Sequence, residues 1–363
     1  MSTIAFTEAR FFNPLETRYA VERRFSEHLE KLRRTRKSAS GAGAAQLSDE
    51  AGFQLPDLLS DHDDGRIQHR AHRLMERREA ATGLSHLKKE DRARLEILRD
   101  GVRLIAIASE HRADELAAQL HAEMPWMAAV NEVVWHAMRR SVREGWPGFR
   151  APPLLLDGPP GIGKSHWARR LGELLSVPTT VIEATGENAS FSIVGSQRGW
   201  SGAYPGRALE TVLQTQVGNP VIVVDEIEKA GLVVSSKDQA FGLAEGLLPL
   251  LEPMTARRWS CPYFQVKFDM SWMSWVLTSN NFRQLPMPLL NRCPPTRLQE
   301  PTATDLDRFV RRQGTRDALS DASIEAIVSA LAHAVRHGQR PTLRAAVRLL
   351  RYARDLESRP MLH

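Results

Sequence analysis

Gly158-Pro159-Pro160-Gly161-Ile162-Gly163-Lys164-Ser165 lies between the apolar run Leu154-Leu155-Leu156 and a helical segment, Trp167 to Leu175. The stretch satisfies G-x-x-x-x-G-K-[ST] in the order its chemistry needs: a strand, a tight glycine loop, then a helix whose free N–H groups face an anion. The glycines let the backbone close on phosphates with no Cβ in the way. Lys164 is expected to meet β- and γ-phosphate charge, and the Ser165 hydroxyl to hold Mg²⁺. The backbone of Gly158, Pro159, Pro160, Gly161, Ile162 and Gly163, with His166 just beyond, would form the rest of the cradle.

Further along, Val221-Ile222-Val223-Val224 ends in Asp225 and Glu226. An apolar strand delivering two carboxylates at its C-terminal end fits the crevice where open α/β sheets bind ligands. Asp225 would reach the magnesium and Glu226 would polarise an attacking water. An acidic pair ending a strand is common as plain surface; a glycine loop upstream gives this one its meaning.

Strand-length apolar runs at Leu154–Leu156, Val177–Ile182, Val221–Val224 and Trp275–Thr278 alternate with helical stretches, as in a parallel sheet covered by helices. After Thr302 no such run remains. Asp305–Arg312, Ala322–His337 and Leu343–Leu356 read as three helices, the last opened by Pro341-Thr342. Toward the N-terminus, Phe25, Leu29 and Leu32 make a thin helical stripe, and Ser38–Leu59 reads as a linker. The expected organisation is a flexible or partly helical arm over 1–60, a helical extension over 61–120, an α/β domain over 121–300 and a helical lid over 301–363.

The 363 residues are 42% hydrophobic and 25% charged, which excludes fibrous, collagenous and wholly disordered classes. No run approaches the ~18 apolar residues of a membrane span, and the charged start lacks the apolar segment of a secretory leader. Cys261 and Cys293 offer neither a disulfide framework nor a Cys-based zinc site. Together these features lead us to expect a cytoplasmic protein without membrane contact. A net charge of +6 permits nucleic-acid contact without demanding it.

The chain resembles AAA+ ATPases, and among them the ATPase module of Lon proteases, over roughly residues 120–355. Beyond the two segments above, Val276-Leu277-Thr278-Ser279-Asn280 resembles the sensor 1 strand, which implies that Asn280 helps place the hydrolytic water. Leu285-Pro286-Met287-Pro288-Leu289-Leu290-Asn291-Arg292 is similar to the stretch ending in the arginine finger, implying that role for Arg292 on a neighbouring subunit. Leu247-Leu248-Pro249-Leu250-Leu251-Glu252-Pro253 resembles the helix leading to the second pore loop. Gly195–Arg207 resembles the substrate-gripping loop, with Trp200 at its aromatic position. In the lid, Thr342-Leu343-Arg344 stands where the sensor 2 arginine is usual but lacks the accompanying glycine, so Arg348, one turn on, is a rival to Arg344.

The resemblance implies a P-loop AAA+ fold, ATP and Mg²⁺ as ligands, and a homo-oligomeric, hexameric ring that hydrolyses ATP at subunit boundaries. It implies remodelling, unfolding or threading of a protein client. With no Ser–Lys peptidase domain after the lid, the expected effector is a separate subunit. The alternative is a nucleic-acid-associated switch whose assembly on DNA is governed by ATP, motivated by the basic stretches Lys31–Lys37 and Arg73–Arg78. Against the functional roles stand plainer ones: a packed tryptophan for Trp200, a surface ion pair for Arg292, and solvated helix positions for His62, His69 and His72.

Overall fold

The computed structural model describes residues 2–40, 59–185, 189–199, 202–230, 233–234 and 240–358. The chain divides into two compact units, Glu8–Arg99 and a larger one formed by Met1–Thr7 with Asp100–His363.

The smaller unit is helical. Helices Arg18–Ser40 and Asp61–Ala81 pack together and a short helix, Lys89–Glu96, follows. Ser60 starts the second helix through a capping box with Asp63, each side chain satisfying the other's backbone N–H. Val21, Ile67, Ala71, Leu84, Leu87, Leu95 and Leu98 are buried. Much of the expected linker, 41–58, lies outside the described residues.

The larger unit is built on five strands: β1 (Leu154–Asp157), β2 (Thr179–Glu183), β3 (Val221–Asp225), β4 (Ser274–Ser279) and β5 (Pro295–Arg297). All pairs are parallel and the order is β5-β1-β4-β3-β2. The central strands are unbroken apolar runs because both faces are covered: β4 is buried throughout, and β3 up to Asp225. Leu154, Leu156, Val221, Val223 and Val276 face a core shared with Trp167, Leu171, Val130, Val134 and the lid. The alternate residues Leu155, Ile222, Val224 and Leu277 are equally buried. β5 was not readable as a strand: Pro-Thr-Arg is neither apolar nor alternating, and proline is tolerated there because the strand is at the sheet's edge.

Helices Glu110–Glu123 and Ala128–Arg143 pack against each other, and the first also touches the helix after the glycine loop. Thus the helical stretch ahead of residue 121 is continuous with the α/β core. Even Ser2–Ile4 belongs to this unit, pairing antiparallel with Val102–Leu104. Gly101 (φ +80°) makes that approach possible, since a Cβ there would lie 2.2 Å from the Ile4 carbonyl oxygen.

The lid is three helices, Ala303–Arg316, Asp321–Arg336 and Leu343–Glu357, each opened by a side-chain cap from Thr302, Ser320 or Thr342. Among the described residues no helix is long and apolar enough to cross a membrane.

Candidate active site

The parallel order carries the C-terminal ends of β1, β3 and β4 to one edge of the sheet, where three polar clusters meet. After β1, the glycine loop turns into the helix Lys164–Leu175 through Gly163, whose φ of +97° is left-handed. The first-turn N–H groups of this helix have no intrahelical partner and point out of its end. The loop is braced from behind: the buried Trp126 indole donates to the Ile162 carbonyl at 2.8 Å, and the Trp167 indole to Asn131 Oδ1 at 2.7 Å. In front, the lid closes on the glycines. A Cβ on Gly163 would lie 2.5 Å from Leu343 Cδ2, and one on Gly161 3.3 Å from Thr342 Cβ.

Asp225, ending β3, accepts from Ser165 Oγ at 2.7 Å and from Thr278 Oγ1 at 2.5 Å. Thr278, wholly buried in β4, in turn accepts the Glu226 backbone N–H at 2.9 Å. That contact helps hold Glu226 in a left-handed conformation (φ 54°) at the strand's end. The Glu226 carboxylate meets Lys229 Nζ at 2.7 Å and Asn280 Nδ2 at 3.3 Å. The Lys229 hydrogen bond, helped by that of Asn280, holds this carboxyl below the usual carboxylate range against the opposing effect of burial.

Lys164 is buried, and its Nζ donates to the carbonyls of Gly158 (2.6 Å) and Pro159 (3.0 Å) and to Asn280 Oδ1 (2.9 Å). Burial lowers its pKa, while the carboxylates of Glu228, Asp157, Asp225 and Glu226 pull the other way. The ammonium is thus surrounded by negative charge yet touches only neutral oxygens, leaving it to be drawn toward an incoming anion.

Lys164, Ser165, Asp225, Glu226, Thr278 and Asn280 line a cleft of about 330 Å³ together with Pro160, Gly161, Gly163, His166, Arg169, Leu343, Arg344 and Val347. Arg344 therefore faces the cleft, whereas its rival Arg348 is not among the lining residues. His166, in the first helical turn, meets the lid ring of Phe309 edge-on at 6.4 Å. Arg292 lies apart from this cleft. It ends the short helix Met287–Arg292, with Nε 3.7 Å from Glu252 Oε2 and one amino group on the Pro288 carbonyl at 3.3 Å. Trp200 lies outside the described residues.

Thr278, Glu228, Trp126 and Asn131 are parts of the site or its support that the sequence reading assigned no role. Glu228 stood two residues beyond Glu226, and that adjacency was the only signal for it.

Residues 154–300 match the model of the ATPase family associated with various cellular activities (AAA). The chain carries an AAA ATPase domain. Its relatives include the peroxisomal Lon protease homolog 2 of rice and of maize, each 34% identical over 152 residues. The mitochondrial Lon protease homolog of Yarrowia lipolytica is 35% identical over 145 residues, and the Lon protease of Desulfovibrio desulfuricans 33% over 152. These matches take in 40–42% of this chain but only 12–17% of those proteins, so what is shared is a Lon-like ATPase module. A Thermotoga maritima RuvB mutant aligns over 62% of each chain at 20% identity with a TM-score of 0.39, too low to carry an argument.

Proposed function

We propose that this AAA ATPase binds ATP with magnesium in the cleft between the glycine loop and the lid, hydrolyses it at subunit boundaries of a ring, and uses the cycle to remodel or thread a protein client. The observation that carries the reading is one connected network, in which Ser165, Asp225 and Thr278 lead through Glu226 to Asn280 and Lys164. The donor chemistry suits both ligands. A hydroxyl beside a carboxylate is a hard oxygen pair of the kind magnesium takes, and glycines with positive φ leave a cradle that side chains would fill.

Bound magnesium would be held through Ser165 and Asp225 and would neutralise charge between the β- and γ-phosphates. On nucleotide entry, Lys164 exchanges the Gly158 and Pro159 carbonyls for phosphate oxygens. Glu226, released from Lys229, takes the proton of the attacking water, while Asn280 bridges that carboxylate to Lys164. Arg344 approaches from the lid, and Arg292 serves as the finger of an adjacent subunit. The Lon likeness supports threading, with Trp200 as the gripping aromatic.

Two measurements test this. Glu226→Gln should lower magnesium-dependent ATP turnover by roughly 10²–10⁴-fold while nucleotide still binds. Mixing inactive Lys164→Ala with inactive Arg292→Ala protein should restore turnover, because mixed rings contain boundaries with one intact half from each; no recovery at any ratio would refute the shared site. Strong, salt-sensitive DNA stimulation would instead favour the nucleic-acid switch.

A further inference from the structure

We infer that Glu228 is a positioning residue for Asn280, setting the amide that spans Lys164 and Glu226; the inference rests on the ATPase reading of this site. Asn280 has no freedom in how its amide is turned. Its Oδ1 accepts from the Lys164 ammonium at 2.9 Å, so Nδ2, the donor end, must face the carboxylates. There it meets Glu228 Oε1 at 2.9 Å and Glu226 Oε1 at 3.3 Å.

Glu228 holds the residue at a second point, since the Asn280 backbone N–H donates to the same Oε1 at 3.0 Å. Main chain and side chain are thus pinned to one oxygen, and the Glu228 contact is the shorter of the amide's two carboxylate contacts. The other oxygen, Oε2, is buried and among the described residues has no hydrogen-bond partner. A carboxylate left half-satisfied out of water calls for an explanation beyond packing, and its grip on Asn280 supplies one.

The location gives that grip its effect. Glu228 sits on the turn Ile227–Lys229, which begins at the strained Glu226, while Asn280 follows the neighbouring strand β4. Glu228 therefore ties the turn bearing the base to the strand end bearing the amide. Removing it frees the amide to rotate, which misplaces the hydrolytic groups without emptying the phosphate cradle.

The test is ATP turnover by the full-length protein and its Glu228→Ala, Glu228→Gln, Asn280→Ala and Glu228→Ala/Asn280→Ala variants. Expected are a roughly 10–100-fold lower kcat for Glu228→Ala with KM within about threefold, and a double variant no worse than Asn280→Ala alone. Glu228→Gln keeps an acceptor oxygen for Asn280 and should recover most of the rate. Equal impairment of the Gln and Ala variants would overturn the inference in favour of charge balance for Lys164, as would multiplying losses in the double variant. Melting temperatures without nucleotide form a second cycle, where additive losses would also overturn it. Absence of turnover in the parent would refute the ATPase reading instead, and the melting cycle would still report on the contact.

Discussion

The glycine-loop end of the sheet and the helical unit Glu8–Arg99 are both dense in charge, yet they use it in opposite ways. Around the cleft, Lys164, Asp225, Glu226 and, behind them, Glu228 converge, and each is reached through a short neutral link from Ser165, Thr278 or Asn280. In the helical unit, Arg18–Glu22, Arg23–Glu27 and Arg34–Glu30 pair one turn apart on largely exposed faces. Water screens such pairs, which contribute about 0–1 kcal/mol, whereas a group removed from the cleft leaves buried partners unsatisfied. The basic stretches that suggested a nucleic-acid grip are in part internally engaged: Arg33 meets Asp63, and Arg78 meets Glu16.

The contrast predicts a steep ranking of substitutions. Lys164→Ala should rank with Glu226→Gln at the top, a roughly 10³-fold loss of turnover that, unlike the Glu226 change, comes with loss of nucleotide binding, read by steady-state ATPase and calorimetry. Thr278→Val keeps shape but strips Asp225 of a donor and the Glu226 N–H of its acceptor, through a side chain that is itself wholly buried. It should cost about 1–3 kcal/mol in denaturant unfolding and lower kcat more than it changes KM. Unchanged kcat in that variant would mean the Asp225–Glu226 corner holds itself.

Gly163→Ala comes next, at about 1–2 kcal/mol. The cause is the left-handed backbone and not the 2.5 Å approach to Leu343, because a terminal leucine methyl can swing aside. Adding Leu343→Ala should therefore fail to recover the loss. Recovery would show that lid packing, and not the dihedral, governs this loop.

How far each region could be read in advance follows the same division. The glycine loop, the β3 carboxylates and the central strands were legible because each imposes its own residue types over a short span. β5 was not, since an edge strand needs no apolar pattern, and neither was the Thr278 bridge, because a buried threonine in a strand looks like any other β-branched residue. Trp126 and Asn131 were given no role, because their hydrogen bonds to the loop and its helix depend on helix pairs brought together only by the tertiary fold. The start of the ATPase unit was equally hidden: Glu110–Glu123 reads as a charged solvated helix, yet Glu123 meets Arg170 on the loop helix through paired hydrogen bonds of 2.7 and 2.8 Å. That Arg344 lines the cleft and Arg348 does not depends on how the last lid helix is set against the loop, which no local pattern shows.

The smallest effect expected lies in the helical unit, at the ion pair between Arg33 and the shielded Asp63. Asp63 is held far below the usual carboxylate range, first by the hydrogen bond from Arg33 and then by the Ser60 backbone and hydroxyl. A carboxyl whose folded pKa is depressed binds its proton more readily in the unfolded chain. Its contribution is therefore full above the ordinary value of 3.8 and is lost as the pH falls through the folded one. Asp63→Asn should lower the melting temperature slightly at neutral pH, and the gap from the parent should shrink below about pH 4. Arg18→Ala, which breaks an exposed pair, should shift it little at either pH. If the Asp63→Asn gap stayed constant through the acid range, the capping geometry and not the charge would be the source, and the pair would join the surface class from which its burial now separates it.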